Sequence, residues 1–412
     1  MKNNIKYVDN RLCLENINLK DLALEYGTPL YVYSKDTLIN NIRNYRKAFK
    51  DIAHLVCYAV KANYNGNILR ILAGEGSGAD VVSGGELYMA IRAGISPEKI
   101  VFAGVGKTEQ EIKTAINNNI AMINVESEQE LEQVNRVAIK TEKKARISLR
   151  INPNIDPKTH PKIATGLEDS KFGISGHDAV EVYKKAAGMD GIEIKGVHLH
   201  IGSQITDLSP FELSAGAAVN FADQLKEEGI ELEYLDIGGG LGISYENQEI
   251  PRPRDMSATL QKYFKDRTEK LILEPGRSLI GNAGFLLTQI NYVKKRKQKN
   301  FVVVDTGFND FLRPALYGAY HEIRPVEKAG ESLTADVVGP VCETGDYIAL
   351  ERKLEGVRQG NFLAVMDAGA YGFSMSSNYN SRPRPAEVLI EDGVPRLIRR
   401  REVYKDLTDT EL

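Results

Sequence analysis

Leu55-Val-Cys-Tyr-Ala-Val60 is an unbroken apolar run, and Lys61 follows it directly. Seven further short apolar runs each predict a buried strand, at residues 79–82, 100–103, 121–125, 147–151, 196–201, 234–237 and 271–274. The segments between the runs have helical spacing, as in Glu86-Leu-Tyr-Met-Ala-Ile-Arg92. Apolar strands that alternate with helices predict a parallel sheet covered by helices on both faces. Eight such units predict a (β/α)8 TIM barrel, and a doubly wound open sheet is the structural alternative.

Polar groups at the ends of these runs favour the barrel. In chain order they are Lys61, Asp80, Arg150, His198, His200, the glycine run 238–242 and Glu274. The carboxyl ends of all barrel strands meet at one mouth, where the active sites of such barrels lie. A convergence of hard-to-bury groups from several strands predicts a site rather than a set of core residues.

From about residue 283 the pattern changes to apolar runs without helices of any length between them. These runs lie at residues 284–293, 301–305, 346–350, 362–366 and 387–390, and they predict a C-terminal antiparallel β domain. Leu30-Tyr-Val-Tyr-Ser34 is also strand-like and precedes the barrel. We therefore predict a barrel domain at 36–282, and a discontinuous β domain at 1–35 and 283–412.

Composition narrows the class of protein. The 412 residues favour two domains, and the contents of 42% hydrophobic and 26% charged residues are ordinary for globular proteins. The net charge of −3 gives no reason to expect nucleic acid or a membrane surface as partner, and no apolar run is long enough to span a bilayer. The three cysteines, Cys13, Cys57 and Cys342, show no metal-ligand spacing, so we expect no metal, free thiols and a reducing, cytoplasmic compartment. The basic run 294–299 is interpreted as a solvated hairpin turn.

Four features of the barrel could carry chemistry, and each has a plainer interpretation. Lys61 could have a desolvated amine that acts as a Schiff-base nucleophile, although a lone lysine at a strand end usually extends into solvent. The glycines at 238–242 could bind a phosphate through bare amides, with Ser203 adding a hydroxyl, or could simply form a turn. Glu274 could hold a protonated ring nitrogen, or pair with Arg277. His200 could stack on a flat ring, or be a hydrogen-bonded core residue.

Two polar turns of the β domain are further candidates. Cys342-Glu-Thr-Gly-Asp346 follows an apolar stretch, and a lone cysteine is more often inert packing than a catalyst. Asp367-Ala-Gly-Ala-Tyr371 follows the run 362–366, and its glycine permits a close approach. The plain interpretation of Tyr371 is half-buried packing.

Taken together, these motifs resemble the diaminopimelate decarboxylase family, which belongs to the alanine-racemase-like, fold type III pyridoxal-phosphate enzymes. The resemblance covers residues 30–389 and rests on Tyr58-Ala-Val-Lys-Ala-Asn63, Asp80-Val-Val-Ser-Gly-Gly-Glu86, His198-Leu-His-Ile-Gly-Ser-Gln204, Gly238-Gly-Gly-Leu-Gly242, Glu274-Pro-Gly-Arg277, Cys342-Glu-Thr-Gly-Asp346 and Asp367-Ala-Gly-Ala-Tyr371. It implies pyridoxal 5′-phosphate as cofactor and a homodimer with shared active sites. It also implies conversion of meso-2,6-diaminopimelate to L-lysine and carbon dioxide, the last step of lysine biosynthesis.

The resemblance also implies roles for residues of this chain. The implied cofactor-binding residues are Lys61, Asp80, Arg150, His200, Ser203, Gly239, Gly240, Glu274, Gly276, Arg277 and Tyr371. Arg277, Arg313, Tyr317, Glu343 and Tyr371 are implied to bind substrate. Lys61, His200 and Cys342 are the implied catalytic residues, with Cys342 as the proton donor after decarboxylation.

Other activities remain open at this point. A decarboxylase of the same class could act on ornithine, arginine or carboxynorspermidine. Ornithine has no distal carboxylate for Arg313 to bind, whereas carboxynorspermidine is harder to exclude on charge alone. Alanine racemase would need a second acid/base group that the sequence does not obviously supply. A pyridoxal-phosphate carrier without catalysis would not need the long β domain.

Overall fold

The computed structural model describes residues 5–157, 159–163, 165–166, 170–246, 248–328 and 330–412. Residues 1–4 of the predicted β domain therefore lie outside the described part of the chain. Within the described residues, no helix combines the length and the apolar character needed to cross a membrane.

The strands, in chain order, are β1 (Ile5–Val8), β2 (Arg11–Leu14), β3 (Ile17–Asn18), β4 (Leu30–Ser34), β5 (His54–Ala59), β6 (Gly78–Val81), β7 (Ile100–Phe102), β8 (Met122–Val125), β9 (Ala145–Asn152), β10 (Ile174–Ser175), β11 (Ile192–His198), β12 (Tyr234–Asp236), β13 (Lys270–Leu273), β14 (Gly284–Lys294), β15 (Phe301–Val304), β16 (Ile323–Pro325), β17 (Ser332–Val338), β18 (Tyr347–Glu355), β19 (Phe362–Val365), β20 (Ala386–Glu391) and β21 (Val394–Arg399). The α-helices are α1 (Leu19–Tyr26), α2 (Lys35–Ala48), α3 (Gly66–Gly74), α4 (Gly84–Arg92), α5 (Glu109–Asn117), α6 (Glu128–Lys140), α7 (Ala179–Ala187), α8 (Ser209–Glu227), α9 (Pro253–Phe264), α10 (Arg277–Ile280) and α11 (Arg313–Tyr317).

The chain divides into two compact units. The β unit comprises Met1–Asn40, Ser244–Gln248 and Leu279–Leu412, and the barrel unit comprises Asn41–Ile243 and Glu249–Ser278. The short segment Ser244–Gln248 thus belongs to the β unit, which the sequence did not indicate. The division into domains at residues 36 and 282 stays a prediction.

The barrel unit contains a closed parallel sheet. Its strands follow the order β5-β6-β7-β8-β9-β11-β12-β13, and β13 pairs again with β5. All eight strands lie at the apolar runs of the sequence, so the predicted barrel is confirmed and the open-sheet alternative is wrong. In this register His198 lies beside both Arg150 and Asp236, and Asp80 lies beside Ala59.

Several barrel helices begin at a residue whose side chain caps them. Ser83 accepts a hydrogen bond from the Glu86 amide at the start of α4, and Thr108 and Glu111 form a reciprocal capping box at the start of α5. Ser127 caps α6 in the same way, and that helix buries Leu131, Val134, Val137 and Ala138. The helical spacing therefore gives each helix one apolar face.

The β unit is built on a second sheet. Its order is β18-β17-β15-β14-β4-β20-β21, and β19 pairs with both β14 and β16. Strand β4 lies in this sheet, as the sequence predicted. The predicted antiparallel β domain is confirmed, since most of its strand pairs are antiparallel. Within it, β15 pairs in parallel with β17 and β4 in parallel with β20. A small antiparallel sheet, β1-β2-β3, was not predicted.

Two smaller predictions are confirmed in the structure. Residues 295–300 connect the antiparallel strands β14 and β15, so the basic run does form an exposed turn. All three cysteines are free thiols, of which Cys13 and Cys57 are buried and Cys342 is exposed.

Candidate active site

Lys61 and Asp80 form an ion pair at the carboxyl ends of two neighbouring barrel strands. Lys61 lies in a 3-10 turn, Val60–Ala62, that directly follows β5. Its Nζ donates a hydrogen bond of 2.9 Å to Asp80 Oδ2 on β6. Asp80 is fully buried, and its Oδ1 has no hydrogen-bond partner among the described residues. Burial raises the pKa of Asp80, Glu274 raises it further, and Lys61 opposes both.

The environment of Lys61 departs from the sequence interpretation in one respect. The sequence suggested that the amine could be desolvated, but 36% of the Lys61 side chain is exposed and its amine has a carboxylate partner. An adjacent carboxylate stabilises an ammonium group rather than its neutral form. The structure therefore presents Lys61 as an accessible, oriented amine that is held by Asp80.

Glu274 lies in a buried cluster with Asp236 and His198. One side-chain N or O atom of each residue lies within 4.8 Å of the others, and His198 Nε2 is 3.5 Å from Glu274 Oε2. Burial alone would raise the pKa of Glu274, but His198 and Lys61 outweigh it and hold that pKa below its ordinary value. Burial and the neighbouring Glu274 raise the pKa of Asp236 well above its usual range. The cluster thus combines an ionised Glu274 with a neutral Asp236.

Asp236 is a functional candidate that the sequence analysis missed. It ends β12, two residues before the glycine run, and its Oδ1 accepts a 2.9 Å hydrogen bond from the Gly238 amide. The sequence could have indicated Asp236, because it is an acidic residue inside the apolar run Tyr234-Leu-Asp-Ile237.

His200 contacts the glycine run directly. The Gly239 amide donates to His200 Nδ1 at 3.2 Å, so Nδ1 carries a lone pair. Burial lowers the pKa of His200 well below its ordinary value, and Lys61 and Arg150 lower it further. His200 is therefore a neutral imidazole whose flat ring is fixed by the glycine backbone.

The glycine run packs so closely that side chains are excluded. A Cβ at Gly239 would lie 2.0 Å from the Glu274 carbonyl oxygen, and one at Gly240 would lie 2.3 Å from the Gly202 carbonyl oxygen. Gly240 also has a φ of +112°, which L side chains rarely adopt. The amides of Gly238, Gly239 and Gly242 already donate to Asp236 Oδ1, His200 Nδ1 and the Ile205 carbonyl oxygen. The use of this run to bind a phosphate therefore stays a prediction.

Arg277 and Ser203 lie together in the barrel unit. Arg277 Nη2 donates to Ser203 Oγ at 3.2 Å, and Arg277 is buried. Gly276 precedes Arg277 and packs against Ala59 and Ala62, where a Cβ would lie 3.1 and 3.2 Å from the two alanine Cβ atoms. A buried guanidinium, a hydroxyl and a close-packed backbone are groups that suit a phosphate.

Arg150 is a further buried charged group, and Glu86 is a half-buried carboxyl group. Arg150 Nη1 donates to Glu126 Oε1 at 3.1 Å, and its guanidinium lies 4.5 Å from the Phe172 ring centroid. Glu86 Oε2 accepts a 2.8 Å hydrogen bond from the Val82 amide, and burial raises the pKa of Glu86 to about 7. The sequence analysis did not single out Glu86 for chemistry, because a helix-start glutamate is ordinary.

In the β unit, Arg313 is buried in a cluster of rings. It begins the short helix α11, which ends at Tyr317, and its Cζ lies 6.0 Å from the Tyr317 ring centroid. Its Nε donates to His321 Nε2 at 3.3 Å, and its Nη2 donates to Tyr245 OH at 3.4 Å. Arg313 and Tyr317, which the resemblance implied to bind substrate, are therefore neighbours. His321 and Tyr245 were not predicted from the sequence.

The turn that carries Cys342 and Glu343 is organised by Asp346. Asp346 accepts hydrogen bonds from the amides of Phe308 at 2.6 Å and Val341 at 2.7 Å. The Cys342 amide donates to Asn380 Oδ1 at 3.0 Å, and Glu343 Oε1 accepts a hydrogen bond from Tyr379 OH. The turn therefore presents an exposed thiol and an adjacent carboxylate in a fixed geometry.

Tyr371 occupies a strained backbone position. Its φ is +56°, a left-handed value that costs a bulky residue on the order of 1–3 kcal/mol. The segment before it is fixed by hydrogen bonds from the amides of Ala368 to Gly284 O and of Gly369 to Gly281 O, at 2.8 and 3.1 Å. Retained strain of this kind is typical of residues that are held for function.

The chain is similar to known proteins over nearly its whole length. Residues 35–281 match the family model "Pyridoxal-dependent decarboxylase, pyridoxal binding domain". The chain is similar to a diaminopimelate decarboxylase of Aquifex aeolicus, with 51% identity over 410 residues, or 99% of this chain and 97% of that protein. A diaminopimelate decarboxylase of Neisseria meningitidis serogroup A is 48% identical over 402 residues, or 97% of this chain and 99% of that protein. A crystal structure of diaminopimelate decarboxylase from Helicobacter pylori complexed with L-lysine has a TM-score of 0.93 and 45% identity, and the match covers 96% of this chain and 99% of that one.

Proposed function

The chain belongs to the diaminopimelate decarboxylases, a family of pyridoxal-dependent decarboxylases, and we propose that it converts meso-2,6-diaminopimelate to L-lysine and carbon dioxide as the last step of lysine biosynthesis. The observation that carries the chemistry is the buried, ionised Glu274 at the barrel mouth that also holds Lys61. Its Oε1 has no hydrogen-bond partner among the described residues, which is costly unless a ligand supplies a donor. A protonated ring nitrogen would be that donor.

The residues of the barrel unit fit pyridoxal 5′-phosphate. The unpartnered Glu274 Oε1 fits the ring nitrogen, and the backbone at Gly239 and Gly240 is too crowded for any side chain. Arg277 and Ser203 would supply a cation and a hydroxyl for the phosphate, together with Gly276. Tyr371 of the β unit would also bind the phosphate. Lys61 would hold the cofactor covalently, with Asp80 and Arg150 beside it. His200 would lie against the ring face.

When bound, the cofactor supplies an electron sink for the charge that is left when carbon dioxide departs. The chain's own residues set the conditions for it. Glu274 keeps a proton on the ring nitrogen because a neighbouring carboxylate favours the cationic ring. Asp236 stays neutral, so it adds no second anion to the cluster. His200 stays uncharged, so it can pack flat against the ring without competing for the Glu274 carboxylate.

We propose that the β unit recognises the end of the substrate that does not react. That end is an amino acid zwitterion, which needs cations for its carboxylate and an anion for its ammonium. Arg313, Tyr317 and Tyr371 of the β unit would bind the carboxylate together with Arg277 of the barrel unit. Glu343 would bind the ammonium. Arginine suits this task because its planar guanidinium pairs with a carboxylate through two parallel hydrogen bonds.

The last step requires a proton at the carbon from which carbon dioxide leaves. We assign it to Cys342 Sγ, an exposed free thiol next to Glu343. The thiol would lose its proton to that carbon and regain one from solvent after product release. The resemblance supports this assignment, and the fixed turn around Asp346 supports a defined position for the thiol.

We further propose a two-fold homodimer in which Cys342 and Glu343 of one subunit act on the cofactor held by the other. In a two-fold dimer every contact between the subunits occurs twice, once in each direction. Such a dimer would therefore have two equivalent shared sites. We also propose a cytoplasmic location, which the exposed free thiol of Cys342 supports because such thiols persist in reducing compartments.

The experiment that tests the function is a substrate panel. Purified holoenzyme would be incubated separately with meso-diaminopimelate, L-ornithine, L-arginine and carboxynorspermidine, and carbon dioxide and the amine product would be measured. We expect one carbon dioxide and one L-lysine per diaminopimelate consumed, and little product from ornithine or arginine. Faster release of carbon dioxide from ornithine, arginine or carboxynorspermidine would overturn the substrate assignment.

A further inference from the structure

His321 is fully buried in the β unit, and its two ring nitrogens have different partners. Nδ1 lies 2.8 Å from the carbonyl oxygen of Met366, and Nε2 lies 3.3 Å from Arg313 Nε. A carbonyl oxygen only accepts hydrogen bonds, so Nδ1 must carry a hydrogen. Arg313 Nε–H only donates, so Nε2 must carry a lone pair. The two contacts together define a neutral imidazole protonated at Nδ1.

The ring of His321 is also held from its sides. The Phe311 ring lies edge-on at a centroid distance of 4.7 Å, and the Tyr245 ring lies edge-on at 4.9 Å. Tyr245 additionally accepts the hydrogen bond from Arg313 Nη2 at 3.4 Å. Because its ring and backbone anchor are both fixed, His321 gives Arg313 a rigid acceptor at a defined point.

We propose that His321 is a positioning residue that sets the plane of the Arg313 guanidinium and thereby the specificity for a substrate with a distal carboxylate. The contacts with His321 and Tyr245 lie along the Nε–Nη2 edge of the guanidinium. A carboxylate that approaches end-on pairs with Nη1 and Nη2, and this pairing depends on how the plane is turned. The inference rests on the proposed function, in which Arg313 binds that carboxylate.

Two substitutions separate the functions of the ring nitrogens. His321→Asn places an amide nitrogen near Nδ1, which keeps the donor to Met366 but removes the acceptor for Arg313. His321→Gln places an amide oxygen near Nε2, which keeps the acceptor for Arg313 but removes the hydrogen bond to the Met366 carbonyl oxygen. His177→Asn, at an exposed histidine of the barrel unit, is the matched control.

The readouts are the KM and kcat for meso-diaminopimelate and the inhibition constants of L-lysine and 1,5-diaminopentane. L-lysine retains the distal carboxylate, and 1,5-diaminopentane has none. Since a hydrogen bond to a charged group is worth about tenfold in an equilibrium constant, His321→Asn should raise KM and the lysine constant about 10-fold. In His321→Asn, kcat should change less than about 3-fold and the inhibition constant of diaminopentane less than about 2-fold. His321→Gln keeps the acceptor for Arg313, so it should raise KM less than about 3-fold.

Three results would each overturn the proposal. They are an equal weakening of lysine and diaminopentane binding in His321→Asn, equal KM values for the two variants, and an unchanged KM in His321→Asn. A wild-type enzyme that fails to decarboxylate diaminopimelate would instead overturn the proposed function, so the two failures are distinguishable. If His321→Asn does not fold, 15N NMR of histidine-labelled wild-type enzyme decides the matter. A neutral His321 with its hydrogen on Nδ1 supports the proposal, and a cationic ring or a hydrogen on Nε2 contradicts it.

Discussion

Lys61 Nζ donates a hydrogen bond to Asp80 Oδ2 across 2.9 Å, between the ends of two adjacent parallel strands of the barrel. Asp80 is fully buried, whereas the Lys61 side chain is 36% exposed. The pair therefore orients the Lys61 amine at the mouth of the barrel while leaving it accessible to an incoming molecule. This relationship underlies the first prediction.

Lys61→Ala should abolish the visible absorbance of the bound cofactor and reduce decarboxylation to background. Treatment of the wild-type holoenzyme with borohydride, followed by peptide mapping, should place the reduced cofactor on Lys61. Lys107, a buried lysine that binds Glu130 at 2.8 Å, is the internal control and should stay unlabelled. An adduct on a different lysine would show that the cofactor is held elsewhere.

Glu274→Gln and Asp236→Asn form a matched pair of substitutions within one buried cluster. Because Glu274 is the ionised member, its amide variant should lose the electrostatic support of the ring nitrogen and lower kcat by roughly 100-fold or more. Asp236 is neutral, so its amide variant should keep the Gly238 contact and lower kcat only a few-fold. Steady-state kinetics at saturating cofactor would check both. A greater loss in Asp236→Asn than in Glu274→Gln would reverse our assignment of charge.

Glu86 should make the stability of the protein depend on pH. Burial raises the pKa of Glu86 to about 7 from 4.5, so folding favours its protonated form. That contribution is complete below the unfolded pKa of 4.5, and it is lost as the pH rises through about 7. Relative to Glu86→Gln, which keeps the Val82 contact, the wild type should lose at most about 3 kcal/mol of unfolding free energy between pH 5 and pH 8. Urea unfolding at both values measures it, and parallel pH profiles for the two proteins would rule the effect out.

Mixed dimers test whether the active site is shared. Lys61→Ala and Cys342→Ala homodimers should each be nearly inactive. In a shared-site dimer, a mixed pair has one doubly altered site and one intact site. Random mixing of equal amounts should therefore restore about a quarter of wild-type activity, since half of the dimers are mixed. Confirmed subunit exchange with no return of activity would mean that Lys61 and Cys342 of a site belong to the same chain.

The barrel could be predicted because its strands coincide with short, mainly apolar runs, as burial on both faces requires. Strands β1 to β3 escaped prediction because they have only two to four residues each and mix polar with apolar positions. The parallel pairing of β4 with β20 was not predictable either. Residues 30–34 meet residues 386–390, and no local pattern encodes a partner that far away in the sequence.

The residues of the candidate site also differ in how far the sequence alone predicts them. Lys61, Glu274 and the glycine run stand out because their residue types are unusual at the end of a buried strand. His321 and Tyr245 do not stand out, because their importance depends on a neighbour, Arg313, that only the folded chain brings to them. Asp236 lies between these cases. The sequence shows an acid in an apolar run, but its neutral state depends on the packing of Glu274 beside it.

The most direct test of the account compares wild-type enzyme with Arg313→Ala on meso-diaminopimelate, with the exposed Arg254→Ala as control. Loss of one partner of a desolvated charge pair costs about 2–5 kcal/mol, so kcat/KM should fall by roughly 30-fold or more, with the cofactor still bound. Activity on L-ornithine, which lacks the distal carboxylate, should stay at its low wild-type level. Full activity of Arg313→Ala on diaminopimelate would contradict the account, because Arg313 would then not be the residue that selects the distal carboxylate.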